Sequence, residues 1–158
     1  MTTNSSSQQP GGLVLRLALG VVFLAHSAYL KVVVFGLPGT AHFFASLGLP
    51  ALLAYVVFAA EALGGLALIL GVQTRWVALL LVPIALGATW AHAGAGWLFT
   101  NEGGGWEYPL FLTAALITQS LIGDGALALR RSTPLDALGT SILRGTRPVG
   151  SRHGVHAD

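Results

Sequence analysis

The chain has 158 residues, 54 % of them hydrophobic and only 9 % charged, with a mean hydropathy of +0.73. Soluble domains carry about 25 % charged residues, so a chain this poor in charge cannot clothe a globule in solvated groups, and its composition points to lipid as the solvent. The net charge of +2 is too small to hold a nucleic acid, and the absence of cysteine excludes disulfides, thiolate metal sites and thiol nucleophiles together.

The polar start, residues 1–12 (MTTNSSSQQPGG), predicts a disordered tail, and its lack of Lys and Arg is unlike the basic start of a signal peptide. Residues 13–35 then form the first apolar run, long enough to span a hydrocarbon core of roughly 30 Å. Phe35 to Pro50 (FGLPGTAHFFASLGLP) predicts a short helix lying in the membrane interface. Thr40 is its candidate N-cap, Gly48 its stop, and Phe43, Phe44 and Leu47 cluster on one side. Residues 51–71 make a second span interrupted only by Glu61, and a tight turn leads to a third span over 76–93 that contains Pro83. A Gly-rich connection, Gly94 to Glu107, carries Trp97 and Trp106 as interface anchors. The fourth span, 108–122, is the shortest at about 22 Å of helix. Beyond Gly123 the chain turns polar and Arg-rich, and residues 131–158 predict a disordered tail.

The expected fold is therefore an all-α membrane protein, a four-helix transmembrane bundle over residues 13–130 with one interfacial helix between its first two spans. Charge orients it. Arg16, Arg75, Arg130, Arg131, Arg144, Arg147 and Arg152 fall on one side, whereas Lys31 is the only basic Lys or Arg on the other, beside Glu102 and Glu107. The positive-inside rule then puts both termini in the cytoplasm.

Ionisable groups inside a span are costly and mark function by default. Glu61 sits near the midplane, and Ala60, Gly64 and Gly65 give its helix small residues for close packing, which turns Glu61 into the bundle. His26, Lys31, His92, Glu107 and Tyr108 fall in the same outer half on other helices, so a shared pocket for a quinone-like ligand or a proton is the sharper reading. The plainer one has Lys31 snorkelling, Tyr108 and the tryptophans forming an aromatic belt, and Glu61 serving as an interhelical tie. No HxxxH or ExxH spacing is present, so no metal site is expected, and there is no Walker loop, Rossmann glycine pattern or GxSxG elbow.

The segments HFFASLGLP (His42 to Pro50), EALGGLALILGVQTR (Glu61 to Arg75) and GGWEYPLFL (Gly104 to Leu112), in that order, resemble the DoxX family of small bacterial membrane proteins. That resemblance implies a four-helix protein of the bacterial cytoplasmic membrane. Its implied role is as a subunit or partner of a quinone-linked, oxidative-stress or thiol-homeostasis redox system. Glu61, Arg75, Glu107, Tyr108 and Pro109 sit on matching motif positions. The family often shows His-Gly followed closely by Lys in the first span. Here the segment reads HSAYLK, with Ser27 for Gly and Lys31 five residues after His26. Five residues turn an α-helix by about 140°, which predicts that His26 and Lys31 face different ways.

Three readings follow. The first is a membrane redox subunit with a quinone as its cofactor or substrate, working with soluble or membrane redox partners. The second is a non-enzymatic anchor for such enzymes, since no complete catalytic set is visible. The third is a small transporter, which four helices would form only as a homo-oligomer.

Overall fold

The structure, a computed structural model, describes residues 5–133. The expected C-terminal tail lies, beyond residue 133, outside the described residues. Regular structure is helical, and among the described residues there is no strand, only an isolated bridge between Val72 and Arg130. Three helical stretches are long and apolar enough to cross a membrane: Pro10–Val34, Leu52–Leu70 and Thr74–Ala91.

Helix α1 (Ser5–Leu24) begins well before Leu13, so part of the stretch expected to be a loose tail is helical. Once the apolar turns have nucleated, each added residue costs little, and Pro10 near the start forfeits a single backbone bond. The helix runs on as ten residues of π-helix, Ala25–Val34. Helix α2 (Gly36–Ser46) follows at once, and Thr40 lies inside it rather than capping it. The Thr40 hydroxyl instead donates back to the Gly36 carbonyl at 3.1 Å. Gly48 does stop α2: its N–H reaches the Ala45 carbonyl and that of Leu49 the Phe44 carbonyl, the paired bonds of a Schellman end. Helices α3 (Leu52–Leu70), α4 (Thr74–Ala91) and α5 (Glu107–Ile122) complete the fold, with a short 3₁₀ turn at Ala93–Ala95 after α4.

Helices α1, α3, α4 and α5 close a ring, α1 touching α3 and α5, and α4 touching α3 and α5. Leu19, Phe23, Leu68, Ala78, Leu81, Ala85, Ala115 and Leu116 fill its centre. Large apolar side chains such as Val21, Leu63, Leu80, Phe111 and Leu121 point outwards, more than half exposed, while Arg16, Ser27, Glu61 and Gln119 are buried. This is the reverse of a water-soluble protein and fits a hydrocarbon solvent. Helices α1 and α3 meet backbone to backbone. A Cβ on Gly20 would stand 2.8 Å from the Gly65 carbonyl, and one on Gly65 2.9 Å from the Gly20 carbonyl. Gly64 faces the other way, against Leu81 of α4.

One end of the ring is shut by reciprocal caps. Helix α4 has no side-chain cap of its own, so its first N–H groups go elsewhere. The Thr74 N–H donates to the Asp124 carboxylate at 3.1 Å, and the Arg75 N–H to the Ser132 hydroxyl at 3.0 Å. Ser132 in turn donates its own N–H and hydroxyl to Asp124. In the other direction, Arg75 Nη1 donates to the Ser120 and Leu121 carbonyls, placing a cation on the last turn of α5. Arg16 Nη2 donates to the Ala126 carbonyl at 3.0 Å. Its guanidinium lies where a Cβ on Gly71 would fall, and Gly71 has φ +68, so this left-handed helix end accepts only glycine. The segment from Gly123 to Ser132 is thereby bound to the Gly71 turn.

Asp124→Ala strands the α4 N–H and the Ser132 donors, and should cost about 2–3 kcal/mol of stability. Gly20→Val should cost at least as much, about 3 kcal/mol, by forcing α1 off α3. Thermal unfolding of the detergent-solubilised variants measures both, and wild-type midpoints would show the contacts to be dispensable.

Candidate functional site

The opposite end of the ring is built differently. Glu61 lies halfway along α3 on the same face as Gly65, four residues on, so the close approach to α1 carries it inwards. Lys31, on the π-helical stretch, pairs with Glu61 Oε2, and the two side chains are only 15 % and 8 % exposed. The expectation that His26 and Lys31 diverge fails because it assumed α-helical winding. In a π-helix each N–H reaches back five residues, as the Phe35 N–H does to the Leu30 carbonyl at 2.9 Å. The looser winding brings residue i+5 closer in direction to residue i than an α-helix would. Lys31 pairs with Glu61, and His26 lines the cavity that Glu61 also borders. Ser27, in the glycine position of the motif, is fully buried and donates to the Leu24 carbonyl at 3.2 Å.

A cavity of about 620 Å³ opens beside the pair. Its polar lining consists of His26, Glu61, His92 and Tyr108, drawn from four different helices or helix ends. The rest of the wall is apolar, with Val22 and Phe23 from α1, Ile84 and Ala85 from α4, and Leu112 from α5. The His26 ring stacks on Tyr108, centroids 6.2 Å apart at 20°, and His92 stacks on Phe43 of α2 at 6.5 Å and 29°. Each imidazole is also tethered through Nδ1, His26 to the Val22 carbonyl at 3.0 Å and His92 to the Gly103 carbonyl at 2.9 Å.

Glu107 does not line the cavity. Its carboxylate accepts from the Phe99 N–H at 3.0 Å and holds the Gly94–Glu107 loop, which the edge-on Trp97–Trp106 pair also braces. That loop contributes Phe99, Gly104 and Gly105, three lining residues the sequence reading did not single out. A Cβ on Gly105 would overlap the Leu98 carbonyl, so the run of glycines is what lets the loop close down. The glycine run beside an aromatic, carboxylate-bearing helix start was the available signal. Pro109 is buried in the first turn of α5, where a missing N–H costs nothing. Arg75 belongs to the capped end and not to the cavity. Among the described residues, no group of three or more His, Asp or Glu gathers closely enough to hold a metal ion.

Residues 11–94, just over half of the chain, match the DoxX family model. The chain belongs to the DoxX family. The DoxX match takes in His26, Lys31, Glu61, Arg75 and His92 and stops before α5, which brings Tyr108 to the cavity. A relative, the Bacillus subtilis (strain 168) protein named "Putative oxidoreductase CatD", is 37 % identical over 84 residues. The aligned stretch covers 53 % of this chain and 60 % of that relative. No solved structure gives a significant match.

Removing one partner of a buried ion pair leaves an uncompensated charge, a loss of about 3–5 kcal/mol. Lys31→Met should therefore destabilise by that order, and Lys31→Met combined with Glu61→Gln should recover most of it. A double-mutant cycle on thermal unfolding reads the coupling, and additive losses would show that the pair is not coupled.

Proposed function

We propose that this DoxX protein is a membrane-embedded subunit or partner of a redox system, and that it binds a quinone-like molecule in the cavity between His26, Glu61, His92 and Tyr108. One observation carries the reading: polar groups distant in sequence border one mainly apolar cavity of about 620 Å³. Small-molecule sites are usually apolar chambers of 300–1,000 Å³ with a few placed polar groups. A flat ring with oxygens at its edge suits such walls, with stacking surfaces at His26 and Tyr108. The name of the Bacillus relative, an oxidoreductase, belongs to the same broad class of chemistry. With no cysteine in the chain, any thiol step would belong to a partner protein.

In this reading α5 is the fourth span, shortened to 16 residues because its ends are held by the Glu107 loop and by Arg75, and α2 lies in the interface. Arg16, Arg75, Arg130 and Arg131 gather at the capped end, while Lys31 is neutralised by Glu61. The charge bias then favours a cytoplasmic capped end and an outward-facing cavity in the bacterial plasma membrane.

The protein in lipid nanodiscs should bind a short-chain benzoquinone or its hydroquinone saturably, and His26→Ala and His92→Ala should each weaken binding about tenfold, equivalent to 1.4 kcal/mol. Absence of saturable binding of either form by the wild type overturns the proposal. The cysteine-free chain also permits direct topology mapping. Thr100→Cys should react with a membrane-impermeant maleimide in intact cells and Thr133→Cys only after permeabilisation; the reverse pattern would invert the orientation.

A further inference from the structure

We infer that the loop from Gly96 to Gly105 is a lid over the cavity, and that a ligand enters and leaves when the lid opens. This inference rests on the ligand-site reading above and adds the route by which that site is reached.

The position of the loop carries the inference. Its stems are the end of α4 and the start of α5, and His92 and Tyr108 on those stems both line the cavity. Helices supply the side walls, and Phe99, Gly104 and Gly105 of the loop complete the lining. A loop strung between two wall elements and lining the space between them covers that space at its end. The opposite end of the ring is shut by the Asp124 and Arg75 caps, so along the axis of the ring the way in is past the loop.

The loop is also attached in a way that permits opening. Its hydrogen bonds run to partners between His92 and Glu107, and among the described residues none reaches α1, α2 or α3. Two of them act as latches. The Phe99 N–H donates to the Glu107 carboxylate at 3.0 Å, and the Gly103 carbonyl pairs with His92 Nδ1 at 2.9 Å. The base is clasped separately, the Trp106 N–H to the Gly96 carbonyl and the Glu107 N–H to the Trp97 carbonyl, each at 3.1 Å. Trp97, Leu98 and Phe99 are all more than half exposed, so lifting the loop gives up little buried area. Gly103 and Gly104 hold φ of +82 and +74, and with no Cβ on either the backbone swings there at little cost, as a hinge requires. His92 is wall and latch at once, so a ligand seated against its ring bears on the bond that holds the lid.

The test is a staple. The chain has no cysteine, and a Cβ on Gly103 stands 3.8 Å from the Ala95 Cβ, the usual separation across a disulfide. Ala95→Cys with Gly103→Cys therefore locks the lid shut, and neither position lines the cavity. The disulfide form in nanodiscs is compared with the same protein reduced and capped with iodoacetamide. The probe is a fully substituted decyl benzoquinone, which has no free ring position for thiol addition. Stopped-flow quenching of tryptophan fluorescence follows association, and dilution into empty nanodiscs follows release. The stapled form should take up and release the quinone about tenfold or more slowly than the capped form. Equal rates in the two forms overturn this inference, send the ligand in between the helices and leave the ligand site standing. Failure of the wild type to bind saturably overturns both, and failure of the two cysteines to cross-link overturns the closed position of the loop. A second variant does not depend on the staple. Glu107→Ala removes the Phe99 latch and should raise both rates about threefold or more, with affinity little changed. A faster release with association untouched would assign Glu107 to ligand retention alone and overturn its role as a latch.

Discussion

Glu61 and Lys31 sit inside a molecule whose outer surface is apolar, and neither charge is tolerable there without the other. Withdrawing each from water costs several kcal/mol, which is offset only when the opposite charge is in direct contact. Contact requires that α3 and the π-helical end of the first span hold a fixed register. The glycine contact supplies it, because Gly65 lies one turn from Glu61 and touches the Gly20 backbone. Once α1 and α3 are locked in this way, His26 is carried to the edge of the same cavity. The ring of helices, the location of the cavity and the conformation of its polar groups thus share a single origin.

The two ends of the ring manage their polar groups by opposite means. At the Arg75 end, the first donors of α4 and the last acceptors of α5 are answered by side chains from across the ring, and Asp124 serves three donors. At the Glu107 end, the two imidazoles bond to nearby carbonyls, and four polar side chains border an open chamber. A rigid floor with a chamber above it is a sound arrangement for holding a small molecule in place, since sites mounted on fixed elements keep their geometry.

Much of this was legible from residue order. Of the four expected spans, three are helices long and apolar enough to cross a membrane, because length and hydropathy alone set that signal. Glu61 stood out as a carboxylate in an apolar run, and the small residues beside it showed which way it turns. The rest depended on contacts distant in sequence. Asp124 and Ser132 cap a helix that starts some fifty residues earlier, and no local pattern announces that. Glu107 was expected among the cavity residues, yet its carboxylate turns to the loop and not to the chamber, where it accepts from the Phe99 N–H. Most instructive is the first span. Counting residues at 100° each separated His26 from Lys31, and the count failed because winding is a property of the folded helix and not of the spacing.

The π-helical stretch has a consequence for comparing relatives. A helix that can take up one additional residue per turn converts an insertion into a change of winding, leaving the side chains above and below in place. Here Lys31, five residues after His26, reaches the Glu61 carboxylate while His26 borders the cavity beside it. What places these groups is then a direction in space and not a distance along the chain. Spacing counted along the sequence does not by itself tell which side chains share a wall at this position.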